Sequence, residues 1–493
     1  MAHIDRGLEQ GKVLFYPVPR THGCLDPREG GAMPTTNPGK NRDDREATAS
    51  RPTVPAETTL REQYQRTLNT LRRTEGAYSR FVPDGVLALL GAHDILDVHL
   101  GDMVEKRLTV MFTDIRDFTA MSEHMTSRET FAFLNDYLGH MEPAVRRHGG
   151  VVDKFIGDAV MALFPDGADQ AVRAALAMRE ALSAYNDQRR ESGLAPVDMG
   201  IGLNSGLATL GILGHGERVD STVIGDVVNV AQRIEGLTKT YRVNILVSED
   251  TLASLDAPHA VAIRFIDRVR VKGRVRPISV YEVFDGDPPA TARAKRKHVE
   301  TFEKAVAYYH LRAIDRALPL FEACAAALPN DTVVEIYLAR CRAFVATGAY
   351  DGIGELLDHM EWKASYETGL HEMDEQHRTL MDNINRLSDA IQAEDSKAVG
   401  EVFSFLERYS IEHFAMEESL MDEYEYPFRD GPKQEHAAFI RGFTTTRDEI
   451  ISGLHDRILC LFRINLFLYD WLISHSTRVD KHLAAYVADQ TSA

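Results

Sequence analysis

The sequence has 493 residues, of which 44% are hydrophobic and 26% are charged. At about 100 to 200 residues per domain, this length predicts about three domains and argues against one compact fold. The 74 acidic residues outnumber the 56 basic ones, and the resulting net charge of −18 argues against nucleic acid as a general partner.

Cysteine usage and hydropathy predict a cytoplasmic protein. The four cysteines have no Cys-x-x-Cys spacing and are too few for a disulfide framework in a chain of this length. The most apolar long stretch, Ile458 to Ile473, contains Arg463, Asn465 and Asp470, so it predicts a buried helix and no membrane span. The first residues are charged and lack an apolar run, so we expect no signal peptide.

The N-terminal region divides into two segments. Residues 1–56 are rich in Pro, Gly, Thr, Arg and Asp without an apolar period, which predicts a disordered tail. Residues 57–106 form a predicted helical linker, and its one-sided apolar stripe consists of Leu60, Tyr64, Leu68 and Leu71. The stripe fits either a short packing helix or a parallel coiled coil that joins two protomers.

Strands alternate with helices across residues 107–286. This order predicts a ferredoxin-like α/β sandwich with added strands, an α+β unit within a multidomain chain. The predicted strands are Leu108 to Asp114, Val151 to Ile156, Ala159 to Phe164, Val197 to Asn204 and a hairpin within Arg264 to Phe284. The predicted helices are Arg128 to Arg147, Ala168 to Arg189 and Ile224 to Leu237.

After a Pro- and Gly-containing linker at 285–289, every periodic segment predicts helix. Residues 290–360 hold a helical linker built on a tetratricopeptide-like pair, Phe302 to Leu328 and Val333 to Ala346. Residues 361–490 predict an all-α, up-down four-helix bundle. Its helices are predicted at Met373 to Gln392, Ser396 to Tyr424, Gly431 to Ser452 and Asp456 to Tyr486.

Two carboxylates are candidates for phosphate chemistry. Asp114 ends a predicted strand, and Asp158 lies at the tip of the hairpin that turns on Gly157. A hairpin beside that strand can bring the two tips together in an oxygen-only pocket suited to Mg²⁺ or Mn²⁺. Aspartate is also common in turns for backbone reasons alone.

Further polar residues extend this set. Asn229 and Arg233 are four residues apart on one predicted helix, so they face the same way and could hold a ribose and a charged transition state. Lys272, on the final hairpin, offers a point charge for a polyphosphate.

Four motifs in this region closely resemble the class III nucleotidyl cyclases. The resemblance covers about residues 81 to 284. The motifs are Phe112-Thr-Asp-Ile-Arg116, Gly149-Gly-Val-Val-Asp-Lys-Phe-Ile-Gly-Asp158, Thr222-Val-Ile-Gly-Asp-Val-Val-Asn-Val-Ala-Gln-Arg233 and Val271-Lys-Gly273.

The resemblance implies a homodimer with two active sites at its interface. Asp114, Asp158 and the backbone of Ile115 would bind two metal ions in one protomer, and Asn229 and Arg233 would come from the other. Backbone N–H groups where the strand turns into a helix, including those of Phe118 and Thr119, would contact phosphates.

The resemblance also indicates the purine. Lys154 matches the position that reads the base, and lysine there favours the acceptor edge of adenine. Thr222 occupies the second purine-reading position, where many adenylyl cyclases carry aspartate and a subgroup carries threonine. ATP is therefore the expected substrate, with some use of GTP left open.

Histidines and carboxylates in the predicted bundle have metal-ligand spacing. His413 and Glu417 are one helical turn apart on one face. Each of the other three helices adds an imidazole or a carboxylate at about the same level, namely His377, His436, and His475 with Asp480. Mixed imidazole and carboxylate ligands inside a bundle suit a di-iron centre, whereas the alternative is a metal-free bundle with surface or core histidines.

The bundle resembles the bacterial hemerythrins from about Trp362 to Val487, and six of seven family ligands match. The exception is Pro432, which has no donor atom and predicts that the third helix begins there. Water, Glu435 or an altered turn could fill the gap, and reversible oxygen carriage is put in doubt.

The spacing within the fourth helix makes a further structural prediction. His475 and Asp480 are five residues apart, about 140° around an ideal helix, so the turn must widen if both bind metal. His482 is a weaker alternative ligand.

Together these features predict a cytoplasmic, dimeric adenylyl cyclase regulated by a hemerythrin-like di-iron domain that senses O₂, NO or redox state. One alternative is an iron- or oxygen-binding protein with an inactive cyclase module. The other is a guanylyl cyclase.

Overall fold

The structure is a computed structural model, and it describes residues 64–74, 84–92, 95–215, 218–257, 260–269, 277–350, 360–393, 395–452 and 457–492. The predicted tail at 1–56, Leu60 and Lys272 lie outside these residues. Helix α1 covers 64–74, where Tyr64 and Leu71 are 62% and 59% exposed.

Residues 84–283 contain an α/β domain. Its strands are β1 Met103–Ile115, β2 Val151–Ile156, β3 Ala159–Phe164, β4 Met199–His215, β5 Arg218–Ile224, β6 Ile245–Ser248, β7 Ile263–Val269 and β8 Ile278–Val283. Its helices are α2 Asp84–Leu90, α3 Phe118–Ser122, α4 Ser127–Arg147, α5 Ala168–Glu191, α6 Asp226–Tyr241 and α7 Glu249–Ala253. The strands form one mixed sheet in the order β2-β3-β1-β4-β6-β8-β7, with β5 paired to β4. The predicted combination of sheet and helices is confirmed.

Alternation along β1 sorts its side chains between two cores. Met111 and Ile115 pack with α4 and α5 on one face of the sheet. Val110 and Phe112 pack on the opposite face, against α2 and α6. Asp114 follows the same alternation and lies on the α6 face, at the end of the strand.

The described part of the linker, residues 290–350 and 360, contains three helices, so the predicted helix pair is wrong in number. The helices are α8 Pro289–His310, α9 Ile314–Ala327 and α10 Thr332–Thr347. The expected single helix from Phe302 to Leu328 breaks at Arg312, whose φ of 56° lies in the left-handed region. Helix α8 packs against β7, and the three helices share a core around Phe302, Phe321 and Tyr337.

The C-terminal region is helical, as predicted. The helices are α11 His371–Gln392, α12 Ser396–Glu423, α13 Asp430–Ser452, α14 Arg457–His475 and α15 Lys481–Ser492, with the π-helical turn Ser476–Asp480 between the last two. Helix α13 begins at Asp430, one residue before the predicted Gly431 and two before Pro432. Pro432 lies in its first turn, where its missing N–H removes no intrahelical hydrogen bond. Among the described helices, none combines the length and the apolar character that a membrane crossing requires.

Candidate functional site

The β1 end and the β2–β3 hairpin bring Asp114 and Asp158 together, as the sequence predicted. Strands β1 and β3 are antiparallel neighbours, and the hairpin turns at Gly157, whose φ of 65° favours glycine. Oδ2 of Asp158 accepts a hydrogen bond of 3.2 Å from the N–H of Ile115. The result is a cluster of carboxylate oxygens where β1 ends and the β2–β3 hairpin turns. Carboxylate oxygen is the donor type that Mg²⁺ and Mn²⁺ prefer.

Asp114 is close enough to Asp158 to change its acidity. Burial, and next the adjacent Asp114, raise the pKa of Asp158 to about 7. The ammonium of Lys239 lies 2.5 Å from Oδ2 of Asp114 and is the cation that pairs with this carboxylate among the described residues. A divalent cation would relieve the crowding of the two carboxylates, so these residues fit the expected metal site.

Glu235 and Lys239 belong to this site, although the sequence analysis missed both. They are one turn apart on α6, on the face that packs over β1 and β4. Burial, and next Asp114, raise the pKa of Glu235 to about 7. The signal in the sequence was weak, because a Glu and a Lys four residues apart are also typical of a solvated helix face.

Asn229 and Arg233 do not reach the carboxylates of their own chain. Both are exposed on α6. Glu235 and Lys239 each follow one of them by six residues, which is about 120° around the helix. Because the later pair faces Asp114, the earlier pair faces elsewhere, in a direction open to another molecule.

The two candidate purine-reading residues lie on neighbouring parts of the sheet. Nζ of Lys154 is 3.3 Å from Oδ2 of the buried Asp153, at a bulge in the β2–β3 pairing. Thr222 lies on β5 opposite Gly211 of β4. Thr222 also lines a small cleft together with Asp153, the chain neighbour of Lys154.

The segment predicted to contact phosphates follows β1 directly. Asp117 has a φ of 56° and precedes the short helix α3. The ring of Phe118 packs on Phe133, with centroids 6.3 Å apart. Thr119 is exposed.

The bundle brings all six predicted metal ligands together in its interior. His377, His413, Glu417 and Asp480 are buried with donor atoms within 4.8 Å of one another, and so are Glu417, His436 and His475. Glu417 belongs to both groups, which is the arrangement of two adjacent metal positions that share a carboxylate.

Each carboxylate uses its two oxygens to contact imidazoles on both sides of the cluster. Oε1 of Glu417 is 2.7 Å from Nε2 of His413, whereas Oε2 is 2.9 Å from Nε2 of His436 and 3.2 Å from Nε2 of His475. Oδ2 of Asp480 is 3.0 Å from Nε2 of His377, and Oδ1 is 3.1 Å from Nε2 of His475. The arrangement therefore divides into His377 with His413 and His436 with His475, bridged by both carboxylates.

The imidazole nitrogens and carboxylate oxygens of the cluster are arranged for metal binding rather than for hydrogen bonds to one another. Several of these buried atoms are close to one another but make no contact with hydrogen-bond geometry among the described residues: Nε2 of His377 and His413, Oε1 of Glu417, and both carboxylate oxygens of Asp480. Buried imidazole and carboxylate groups without such hydrogen bonds are costly, and metal ions would satisfy them. Burial alone would raise the pKa of Glu417, but His413 and His475 hold it well below its usual range.

Two residues that the sequence analysis did not assign as supports hydrogen-bond the imidazoles from behind. Nδ1 of His413 lies 2.8 Å from Oε1 of Gln376, and Nδ1 of His436 lies 3.0 Å from Oε1 of Glu418. Such partners fix the ring orientation and leave Nε2 for a metal. Nδ1 of His475 lies 3.7 Å from Oε2 of Glu435, which is too far for a hydrogen bond.

The widened turn expected between His475 and Asp480 is present. Residues Ser476–Asp480 are π-helical, and a π turn bonds residue i to i+5, so residues five apart lie on one face. His475 and Asp480 consequently share the metal-facing side of the helix.

Glu435, one of the groups considered for the gap at Pro432, does not fill it by direct contact. Pro432 is buried in the first turn of α13. Glu435 lies at the outer nitrogen of His475 and pairs with Arg478. His482 is exposed and hydrogen-bonds Tyr426 at 2.5 Å, so it does not join the cluster.

Comparisons with known proteins agree with both sites. Residues 103–284 match the family model of the adenylate and guanylate cyclase catalytic domain, and residues 368–487 match that of the hemerythrin HHE cation-binding domain. An adenylate cyclase of Anabaena cylindrica is 45% identical over 225 residues, covering 44% of this chain and 45% of the relative.

Two further relatives also carry the name adenylate or adenylyl cyclase. The terminal-differentiation-specific adenylate cyclase of Dictyostelium discoideum is 36% identical over 282 residues, 56% of this chain and 13% of the relative. The solved adenylyl cyclase CyaB from P. aeruginosa is 35% identical, covering 37% of this chain and 96% of that one, with a TM-score of 0.34. This chain thus spans less than half the length of either curated relative. Residues 103–284 belong to the adenylate and guanylate cyclase catalytic domain family, and residues 368–487 belong to the hemerythrin HHE domain family.

Proposed function

We propose that this chain is an adenylyl cyclase, which converts ATP to 3′,5′-cyclic AMP and pyrophosphate. The observation that carries the proposal is the meeting of Asp114 and Asp158 within a cyclase-family domain. These carboxylates and the backbone of Ile115 would hold two Mg²⁺ or Mn²⁺ ions, which when bound favour ionisation of the ribose 3′-hydroxyl and neutralise the triphosphate. The name of the relative from Anabaena cylindrica supports ATP as the substrate.

Other groups would bind the nucleotide. Lys154 can donate to a ring nitrogen of adenine, and the hydroxyl of Thr222 can both donate and accept at the purine edge. The phosphates would be bound by the N–H groups of Phe118 and Thr119 and by the Lys272 ammonium. These groups would stabilise the negative charge of the pyrophosphate leaving group.

The proposed enzyme works as a homodimer with composite active sites. Asn229 and Arg233 of one protomer would complete the site of its partner, with Asn229 orienting the ribose and Arg233 stabilising the charge that develops on the phosphate. Their exposure on α6 supports this assignment. The domain also exposes apolar side chains that would be covered on association: Phe155, Ile156, Leu207, Leu213 and Ile224.

We further propose that the bundle holds a non-heme di-iron centre that regulates the cyclase in response to O₂, NO or redox state. His377, His413, His436 and His475 would bind the irons, with Glu417 and Asp480 between them. Iron bound there would supply redox chemistry and open positions for a diatomic ligand. With Pro432 in place of a seventh ligand, we expect oxidation in air rather than reversible oxygen carriage.

A direct contact between the two domains supports intramolecular regulation. Helix α14, which ends at His475, packs against α8 and β7. Phe462 of α14 packs on Phe265 of β7, with centroids 5.8 Å apart, and Arg463 pairs with Glu303 of α8. A shift of α14 would therefore act on the edge of the cyclase sheet.

The free thiols of Cys324 and Cys341 agree with a reducing cytoplasm as the place of the reaction.

The test is to assay the purified full-length protein with ATP and with GTP, in Mg²⁺ and in Mn²⁺, and to count iron. We expect cyclic AMP as the main product and about two irons per chain. Asp114→Ala should lower the rate by at least about 100-fold, as expected for loss of a catalytic metal ligand. His413→Ala should lose iron, whereas His371→Ala, at an exposed position on α11, should keep it. Absence of any cyclic product would refute the cyclase proposal, and an iron content below about one per chain would refute the di-iron proposal.

A further inference from the structure

Lys239 and Glu235 form an unusual pair beside the proposed metal site. Lys239 is half exposed and bonds Asp114 at 2.5 Å, although Glu235 lies one turn away on the same helix. Glu235 is only 7% exposed, and its Oε1 has no hydrogen-bond partner among the described residues. The Lys239 ammonium therefore pairs with Asp114, the more accessible of the two acidic side chains. The buried Glu235 keeps a carboxylate oxygen that accepts no hydrogen bond among the described residues.

The position of Glu235 follows from close packing of α6 on the sheet. Gly200 on β4 is directly opposite Asp114 on β1. A Cβ at Gly200 would lie 3.1 Å from Oε1 of Glu235 and 2.1 Å from Oγ1 of Thr238, so only glycine allows this approach. The glycine therefore places the Glu235 carboxylate over the strand pair that carries Asp114.

Electrostatics allows Lys239 two positions, one paired with Asp114 and the other paired with Glu235. A divalent cation on Asp114 would repel an ammonium held 2.5 Å from the same carboxylate. Residues four apart on a helix are neighbours, so Lys239 can turn to Glu235 by rotating its own side chain. A buried carboxylate without a partner is unfavourable, so Glu235 is a ready acceptor for the displaced ammonium.

We propose that Lys239 is an exchangeable counter-ion, which pairs with Asp114 when the metal is absent and moves to Glu235 when a divalent cation binds. The proposal rests on the cation site assigned above. In this arrangement metal uptake is an exchange of cations, so Lys239 sets the metal concentration that the enzyme requires. Lys239 and Glu235 are positioning residues, because they act through Asp114.

The exchange is tested by titrating nucleotide-free, full-length protein with Mn²⁺ and measuring free Mn²⁺ by electron paramagnetic resonance. Lys239→Met should bind Mn²⁺ roughly 5-fold more tightly, because the competing ammonium is gone. Glu235→Gln should bind it more weakly, because the displaced ammonium loses its acceptor. Lys239→Arg, which keeps the charge, should stay close to the unmodified protein.

The double variant Lys239→Met/Glu235→Gln separates exchange from simple loss of negative charge. If the exchange operates, Glu235→Gln should have much less effect when Lys239 is absent. Equal effects of Glu235→Gln in both backgrounds, or unchanged affinity in Lys239→Met, would overturn the exchange. A matched control is Lys397→Met, which breaks an exposed pair with Glu401 at the same helical spacing and should change nothing.

Asp114→Asn, titrated in parallel, identifies the relevant sites, since the bundle can also take up Mn²⁺. The sites that disappear in Asp114→Asn are those of the cyclase domain, and only these are compared. If Asp114→Asn loses no Mn²⁺ site, the proposed cation site itself is wrong, and the exchange falls with it. If the site is lost there but Lys239→Met binds normally, only the exchange is wrong.

Discussion

The guanidinium carbon of Arg268 lies 4.5 Å from the centre of the Tyr469 ring, and this contact joins strand β7 of the cyclase domain to helix α14 of the bundle. Arg268 is fully buried, so the interaction lies within the domain interface. Tyr469 is six residues before His475, less than two turns from the proposed metal ligands. A cation over an aromatic ring is worth about 2 kcal/mol when it is desolvated, enough to couple two packed elements.

Replacement of Tyr469 should uncouple the domains. In the unmodified protein we expect the cyclase rate to differ between reduced and oxidised bundle by roughly 5- to 150-fold, the range of ordinary allosteric coupling. Tyr469→Leu should bring this ratio close to one while the iron content stays the same. Tyr409→Leu, the same change on α12 where Tyr409 stacks on Phe405, should keep the ratio. If Tyr469→Leu regulates as well as the control, the signal crosses elsewhere.

The composite active site predicts complementation between two inactive variants. Asp114→Ala and Arg233→Ala should each be nearly inactive as homodimers, because every site lacks one component. In an equal mixture about half of the dimers are mixed, and each has one intact site of two, so about a quarter of the normal rate should return. A mixture as inactive as its parents would contradict the assignment of Arg233 to the partner's site.

Purine choice should depend on Lys154. Lys154→Glu replaces a donor with an acceptor at the purine edge, so the ratio of ATP to GTP turnover should fall by at least about 10-fold. The comparison requires kcat/KM for both nucleotides at saturating Mn²⁺. Lys106→Glu, at the opposite end of β1 from Asp114, introduces the same charge change and should leave the ratio unaltered. An unchanged ratio in Lys154→Glu would mean that other residues read the base.

Acid should weaken the packing of the linker helices through His310. Burial lowers the pKa of His310 to about 4, while the nearby Asp267 acts in the opposite direction and Arg340 and Arg268 reinforce the lowering. In the unfolded chain this histidine takes up a proton near pH 6.5, whereas in the folded chain it stays neutral until about pH 4. Stability from this residue is therefore present above pH 6.5 and declines as the pH falls toward 4, by about 3 kcal/mol in total.

His310→Gln should flatten this pH dependence. The measurement is the thermal unfolding midpoint of full-length protein between pH 7.5 and 4.5, and the useful quantity is its slope, since the substitution also changes packing. His99→Gln alters a side chain that is 76% exposed and should retain the original slope. Identical slopes in His310→Gln and the unmodified protein would contradict the role of His310.

Local chemistry in the sequence was enough to predict much of both sites. Asp114 and Asp158 occupy positions where a strand and a hairpin end, so their meeting follows from sheet geometry. His413 and Glu417 meet because residues four apart share a helix face. The five-residue spacing of His475 and Asp480 required the π turn that the structure contains.

The parts that could not be predicted depend on contacts between distant segments. Nothing in the sequence near Arg312 resembles a helix stop, since the residue in the left-handed conformation is neither Gly nor Asn. Lys239 pairs with Asp114 across 125 positions of the chain, and periodicity carries no information on such a contact. The packing of α14 on β7 is likewise a property of the assembled domains and not of either segment alone.

The π turn at Ser476–Asp480 also fixes the rotational phase of everything that follows it. One extra residue turns the rest of a helix by about 100°. Leu483 and Val487 of α15 are buried with Met373 and Met421, so they face inward only because that residue is present. A one-residue deletion in the turn would therefore carry a metal ligand and a whole packing surface out of alignment together. The proposed metal centre and the burial of the last helix therefore depend on the same turn.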